Sequence, residues 1–369
     1  MTVICLIILV LVAFVLERLS MKDPFNGIKH ELYTDKAVLE CGEPFEVTTV
    51  ITNAKPRPVL FLHLEENVPA GLVLLGEKNP QLAERLDSFN EKRAVLTQTL
   101  YLMPREKARR TVKGCLNERG RYMFHNGHLK AGDLLGFEES TLELSYFVEV
   151  VVLPKRVAAP AFDAAFGNYL GDISVRRFIL SDPILTAGFR EYSGREPMRD
   201  ISWPATLRQG KLMVKQFDYT AELTATVILN IAGGSAKEIE LCYSLGRCVC
   251  EDLEERRISY SFMTNAYAAN AAGRWTFMGD GLGDKHLNAI LEGLGRATHE
   301  WLYGLDRLLN KIRNVTDSGK AFVLITPPLT AEDRMVIGRF EARCASRVFV
   351  IEADTAAFAP EEEGKEAAA

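Results

Sequence analysis

The groups best equipped for chemistry lie in residues 188–218, where Arg190, Arg195, Arg199 and Arg208 fall within nineteen residues, interleaved with Glu191, Glu196 and Asp200. Guanidinium groups recognise carboxylates through paired hydrogen bonds. Trp203 in their midst suits either of two roles. It is the buried plug of a salt-bridged structural corner, or it joins Arg190, Arg195, Arg199, Asp200 and Arg208 in a partner-binding surface, since Arg and Trp are favoured where binding energy concentrates. The residue types leave both readings open, with Trp203 expected in the core and at least one arginine exposed. The segment predicts a strand at 189–192, a glycine-bounded turn, an irregular or helical turn over 197–208 and a strand over 211–217.

Other reactive side chains are more scattered. His125 and His128 flank Asn126-Gly127, a pair that favours a two-residue hairpin loop, and two histidines are too few ligands for a metal. Cys248 and Cys250 are two positions apart on a predicted helix, so their thiols diverge by roughly 200° and suit core packing better than chelation. The G-x-G-x-G spacing of residues 279–283 lacks the context of a dinucleotide fingerprint and predicts a flexible loop. Ser235, Ser244 and Ser318 have no nucleophile-elbow surroundings. The expectation is a chain without catalytic residues or cofactor.

The elements that must position these groups divide into two textures. Residues 45–51 alternate apolar and polar after a Gly42-Glu43-Pro44 turn, and strand-like runs recur at 59–64, 94–102, 108–115, 120–124 and 147–153. Short strands at this spacing predict an immunoglobulin-like β-sandwich, with the polar stretch 76–89 as a loop or hairpin insertion. Beyond the signature, apolar strands at 225–229, 258–264, 321–326 and 347–351 alternate with predicted helices at 235–257, 287–312 and 330–344. That alternation predicts a parallel α/β sheet. Ser235, with Glu238 three residues later, forms a candidate capping box.

The signature resembles that of the bacterial "domain of unknown function 58" family, roughly R-x-Y-x-x-G-D-x-x-R-x-I-D-W-K-x-[ST]-A-R-x-G-x-L-x-V-[KR]-x-[FY]. Arg190, Tyr192, Gly194, Arg199, Ile201, Trp203, Arg208, Gly210, Leu212, Val214, Lys215 and Phe217 fit it. Arg195, Ser202 and Pro204 depart from it. The resemblance implies a von Willebrand factor A-like (Rossmann-like) domain, a membrane tether, no enzyme activity, and association with a MoxR-type AAA+ ATPase. Domains of that type often hold Mg²⁺ through Asp-x-Ser-x-Ser after the first strand, because a hard cation wants oxygen ligands including carboxylate. Here the corresponding residues are Asn230, Ala232 and Gly234, and residues 325–328 bring no acid. Asp280 and Asp284 do not replace a whole site, so the ion site reads as degenerate.

The chain has 369 residues, 47% hydrophobic and 25% charged, with a net charge of −5. That balance argues against nonspecific nucleic-acid binding, which needs a basic field. Seven scattered cysteines suggest reduced thiols rather than a disulfide framework. Residues 1–16 are almost unbroken apolar, followed by Arg18, Lys22 and Lys29. This predicts a transmembrane anchor with the body in the cytoplasm.

The resulting expectation is an α+β multidomain protein of the cell membrane. Its parts are an anchor at 1–20, a β-sandwich at 27–153, a connector with the signature at 154–222, the α/β domain at 223–352 and a disordered tail at 353–369. Its expected role is a noncatalytic scaffold or adaptor. The alternative is a metal-dependent protein-binding module with a non-standard ion site, and an undetected hydrolase is a third reading.

Overall fold

The computed structural model describes residue 8 and residues 24–76, 82–86, 92–132, 139–157, 166–169, 186–194, 196–217, 224–269, 275–315, 320–344 and 346–354. The chain divides into two compact units. The first runs to Lys155 and takes in Leu291–Ala297; the second holds Arg156–Ile290 and the chain from Thr298 onward.

The first unit is built from β1 (Ile28–Thr34), β2 (Val38–Leu39), β3 (Pro44–Asn53), β4 (Val59–Pro69), β5 (Leu72–Leu75), β6 (Leu82–Leu86), β7 (Lys92–Leu102), β8 (Lys107–Leu116), β9 (Gly120–Gly132) and β10 (Glu139–Val152). They form a four-stranded sheet, β1-β3-β8-β5, and a six-stranded sheet, β2-β10-β9-β4-β7-β6. One core joins both sheets, with Leu32, Val47 and Val112 of the first packed with Leu39, Val68, Phe124 and Val150 of the second. Burial of these side chains is the main force holding sheet to sheet. A polar pin crosses the same interior. The Glu66 carboxylate, 3% exposed, accepts the Thr49 hydroxyl at 2.9 Å and lies 2.8 Å from His30 Nε2. A carboxyl group so deeply buried needs such partners.

Residues 125–128 are not a hairpin loop. They lie inside β9, which pairs with β4 on one side and β10 on the other. Asn126 takes φ 56° where the register with β10 shifts: Ser145 and Tyr146 of β10 stand opposite this one residue, so β10 carries the bulge. A Cβ on Gly127 would sit 2.7 Å from the Glu65 carbonyl, which reserves this place for glycine.

The second unit opens with β11 (Thr186–Glu191), a 3₁₀ turn at Met198–Asp200, α1 (Trp203–Gln209) and β12 (Met213–Phe217). Its main sheet contains β13 (Thr224–Leu229), β14 (Ser259–Thr264), β16 (Phe277–Gly281), β18 (Ala321–Thr326) and β19 (Val348–Glu352) in the order β16-β14-β13-β18-β19. β14, β13, β18 and β19 run parallel and β16 is antiparallel. β18 is buried at every position, as expected of a strand covered on both faces. Helices α2 (Ala236–Glu255), α4 (Leu305–Val315) and α5 (Ala331–Cys344) belong to this unit, α3 (Asp284–Arg296) starts in it and ends in the stretch counted with the first unit, and β15 (Ala266–Ala268) pairs with β17 (Ala297–Trp301).

Three expectations need correction. The long helix expected over 287–312 is broken into α3, β17 and α4, because Ala297–Trp301 pairs with β15 and Gly304 separates it from α4. The loop expected at 279–283 falls largely in β16, whose Gly281 faces His286 so closely that a Cβ would lie 2.5 Å from its ring. The third correction concerns fold class and location. The described chain is mostly strand, in several sheets with few helices, rather than an α+β protein led by a transmembrane helix. Among the described residues no helix is long and apolar enough to cross a membrane. α2 has the length, but Lys237, Glu238, Glu240, Arg247 and four further acids make it far too polar. The single-pass membrane location built on that anchor is not supported by the described residues. Residues 1–20, apart from Ile8, and the tail beyond Asp354 lie outside the described residues.

Candidate functional site

The signature folds into a local motif within the second unit. β11 and β12 pair antiparallel, and Ile201 bridges to Val214 from the other side, so Val214 has a neighbour on each edge. Tyr192 N donates to the Leu212 carbonyl at 2.9 Å and Ser202 N to the Met213 carbonyl at 2.8 Å. The Thr206 hydroxyl accepts from Met213 N at 3.0 Å and so ties α1 to β12. Pro204 sits in the first turn of α1, where a missing N–H costs nothing. Gly210 ends the helix at φ 68°, a left-handed cap that favours glycine. Ile201, Ser202, Ala205, Met213 and Val214 are buried beneath.

The tryptophan is the main surprise. Trp203 is 59% exposed and is no core plug. Leu207, one turn along the same face of α1, is 84% exposed, and Met198 in the preceding turn is 71% exposed. Phe189 and Leu212 are also exposed. The helix is only seven residues long, and its single buried position, Ala205, faces β12 while its largest side chains face outward.

The arginines separate by role. Arg190 Nη1 lies 2.5 Å from Glu196, whose carboxyl also accepts the Ser193 hydroxyl at 2.6 Å and Ser193 N at 3.0 Å. The Ser193 hydroxyl foremost, then backbone N–H groups and Arg190, hold Glu196 down to about 2. Lys211 pairs with Glu191 at 2.8 Å. Arg199 keeps an 85% exposed side chain, its Nε 3.8 Å from Asp200. Arg208, in the last turn of α1, is exposed and has no carboxylate partner among the described residues. Arg195 lies outside the described residues. Arg190 is thus part of the turn's framework, while Arg199, loosely paired with Asp200, and Arg208 keep exposed guanidinium groups in the turn before α1 and in its last turn.

The crevice at the carboxyl ends of β13, β14 and β18 is closed by neutral groups. Asn230 Nδ2 donates to the Thr326 hydroxyl at 2.9 Å, and Asn230 Oδ1 accepts from Asn265 Nδ2 at 2.7 Å and Ala232 N at 3.2 Å. Asn265 also donates to the Tyr303 carbonyl and accepts from Ile231 N at 3.0 Å. Asn230, Asn265, Thr264 and Thr326 are all at most 3% exposed. A Cβ on Gly234 would meet Pro327 Cγ at 2.6 Å, so the loop after β18 sits directly on the loop after β13. The amide oxygens and hydroxyls that could approach a cation are spent on one another, and Asp280 is engaged by Lys320 at 2.5 Å. Among the described residues no group of three His, Cys, Asp or Glu side chains is placed to hold a metal.

No protein-family model matches the chain. It is 20% identical over 202 residues to the uncharacterized protein YeaD of Bacillus subtilis (strain 168), a stretch covering 53% of this chain and 46% of that relative. The match spans less than half the relative's length. Partial likenesses among solved structures include AvmM, which catalyzes macrocyclization in alchivemycin A biosynthesis (10% identity, TM-score 0.24, 32% of this chain and 89% of that one). Another is native alpha-2-macroglobulin from Escherichia coli, domain MG7 to the C-terminus (14% identity, TM-score 0.25, 35% and 17%). At such scores neither bears on what this chain does.

The residues that sequence reasoning missed are Phe189, Met198, Leu207 and Leu212. The four-residue spacing of Trp203 and Leu207 puts them on one helix face, but only the structure shows that this face is turned to solvent while Ala205 is buried.

Proposed function

We propose that this chain is a noncatalytic scaffold or adaptor that docks a protein partner on the surface formed by α1 and the turn before it. The observation that carries this reading is the outward Trp203–Leu207 pair, with Met198 also exposed in the turn before the helix. Exposed contiguous apolar side chains rimmed by polar ones mark interaction sites, and tryptophan with arginine dominates binding energy where such sites have been dissected. The closed crevice supports the same reading, since its polar groups are consumed by packing.

The resemblance of the signature to the "domain of unknown function 58" family makes a MoxR-type AAA+ ATPase the partner to try first. The test is binding of the purified full chain to the MoxR-type ATPase from the same genome, measured with and without the double substitution Trp203→Ala and Leu207→Ala. Exposed positions tolerate truncation within about 0.5 kcal/mol, so the melting temperature should hold while affinity falls at least about tenfold, a loss of roughly 1.4 kcal/mol. Unchanged affinity in the double variant, with its fold intact, would reject the surface as the docking site.

A further inference from the structure

We infer that the signature surface takes an acidic protein partner, one that seats an apolar side chain against Trp203 and Leu207 and sets carboxylates against Arg199 and Arg208. This inference rests on the docking reading above and adds the partner's chemistry. Residues 186–217 hold six basic side chains, Arg190, Arg195, Arg199, Arg208, Lys211 and Lys215, against three acids, Glu191, Glu196 and Asp200. The segment is therefore +3 on a chain whose net charge is −5, which leaves −8 on the remainder. A basic island on an acidic molecule steers in an acidic partner and turns away a basic one.

The local pairing sharpens the point. Glu191 and Glu196 are occupied by Lys211 and Arg190, which leaves Asp200 as the one acid of the segment for Arg199 and Arg208. Arg199 is 85% exposed and its nearest carboxylate, Asp200, is at 3.8 Å, beyond hydrogen-bond length. Arg208 stands on α1 one residue past Leu207. An exposed apolar helix face with two exposed guanidinium groups close to it in sequence, both with hydrogen-bonding capacity to spare, is complementary to an amphipathic segment bearing Glu or Asp around a leucine or phenylalanine. The mix of Leu207, Met198 and Leu212 with a single indole suits an aliphatic anchor better than a row of stacked bases, which wants successive aromatic platforms.

The test uses the full chain and three synthetic helical peptides with the same leucine positions, the remaining surface being Glu in one, Gln in the second and Lys in the third. A single-stranded oligonucleotide and anionic phosphatidylglycerol vesicles serve as rival polyanions. The Leu–Glu peptide should bind about tenfold or more tightly than the Leu–Gln peptide, and the Leu–Lys peptide should bind weakest. The preference should fade between about 50 mM and about 500 mM salt, as screening shortens the reach of the charges. Arg199→Glu with Arg208→Glu should invert the order in favour of Leu–Lys, and Arg199→Gln with Arg208→Gln should level it. Equal binding of the three peptides, tighter binding of oligonucleotide or vesicle than of Leu–Glu, or an order unmoved by the arginine variants would overturn the inference. Loss of ATPase capture in the Trp203/Leu207 variant without any peptide preference would leave the docking reading standing and remove only the acidic partner. Indifference of both assays to Trp203 and Leu207 would remove both.

Discussion

Single atoms decide the state of the crevice after β13. Gly234 is there because Pro327 already occupies the space its side chain would take. Gly234→Ser, which moves the loop back towards an ion-binding pattern, should therefore destabilise the fold by about 1–3 kcal/mol, the usual cost of overpacking. Thermal melts with and without Mg²⁺ check this, and a serine variant that melts like the parent or gains Mg²⁺-dependent stability would contradict it. Glu196 offers a second residue-scale test. With the Ser193 hydroxyl, backbone N–H groups and Arg190 holding its carboxyl down to about 2, its contribution to the signature turn is complete above the ordinary carboxylate range. That contribution is lost as pH falls from about 4.5 towards 2, the sign expected for a carboxylate depressed in the folded state. An NMR titration of the side-chain carboxyl should give a midpoint near 2, and Ser193→Ala should raise it. An ordinary midpoint in the parent would remove the turn's dependence on this group.

At the scale of elements, local rules that act over three or four residues were the most legible. Ser235 and Glu238 form the capping box their spacing announces, with Ser235 N donating to Glu238 at 2.7 Å and Glu238 N to the Ser235 hydroxyl at 3.4 Å. Ser235→Ala should cost about 1 kcal/mol, lowering the melting temperature by a few degrees, while Ser235→Asp should keep most of the cap. A Ser235→Ala protein with unchanged stability would show that tertiary packing alone holds the helix start. The apolar run 225–229 is likewise a strand, because a short unbroken apolar stretch fits burial on both faces. What the sequence concealed were decisions made by distant partners. Asn126-Gly127 has the signature of a hairpin, yet β4 and β10 flank it and hold it inside a strand, opposite a bulge in β10. Residues 297–301 continue the amphipathic spacing of α3, but pairing with β15 pulls them into a strand. At the candidate site, the arginines were legible from type and spacing alone. The exposure of Trp203 was not, because it depends on a helix too short to bury two large faces.

Over the whole molecule, the cysteines report how tightly the interior is closed. None of the described ones forms a disulfide: Cys115, Cys242 and Cys250 are buried, and Cys41, Cys248 and Cys344 are partly exposed. Burial, with Glu238 near the first and Glu251 near the second, raises Cys242 and Cys250 well above an ordinary thiol, so both are poor nucleophiles in the native state. A thiol reagent should label the native protein at the partly exposed positions and spare Cys242 and Cys250, which react only after denaturation; mass mapping of the labelled sites gives the answer. Rapid native labelling of Cys250 would show that the helix carrying it opens readily. The order β16-β14-β13-β18-β19 has a consequence in time as well as in space. β13 is the centre of its sheet, yet Val227 pairs with Val323, whose residue is added to the growing chain ninety-six positions later. At about 5–20 residues per second on the ribosome, one edge of an apolar central strand stays unpaired for roughly 5–20 seconds of every synthesis. Ribosome-bound chains halted before β18 should therefore be protease-sensitive and chaperone-bound, and become resistant once β18 has left the exit tunnel.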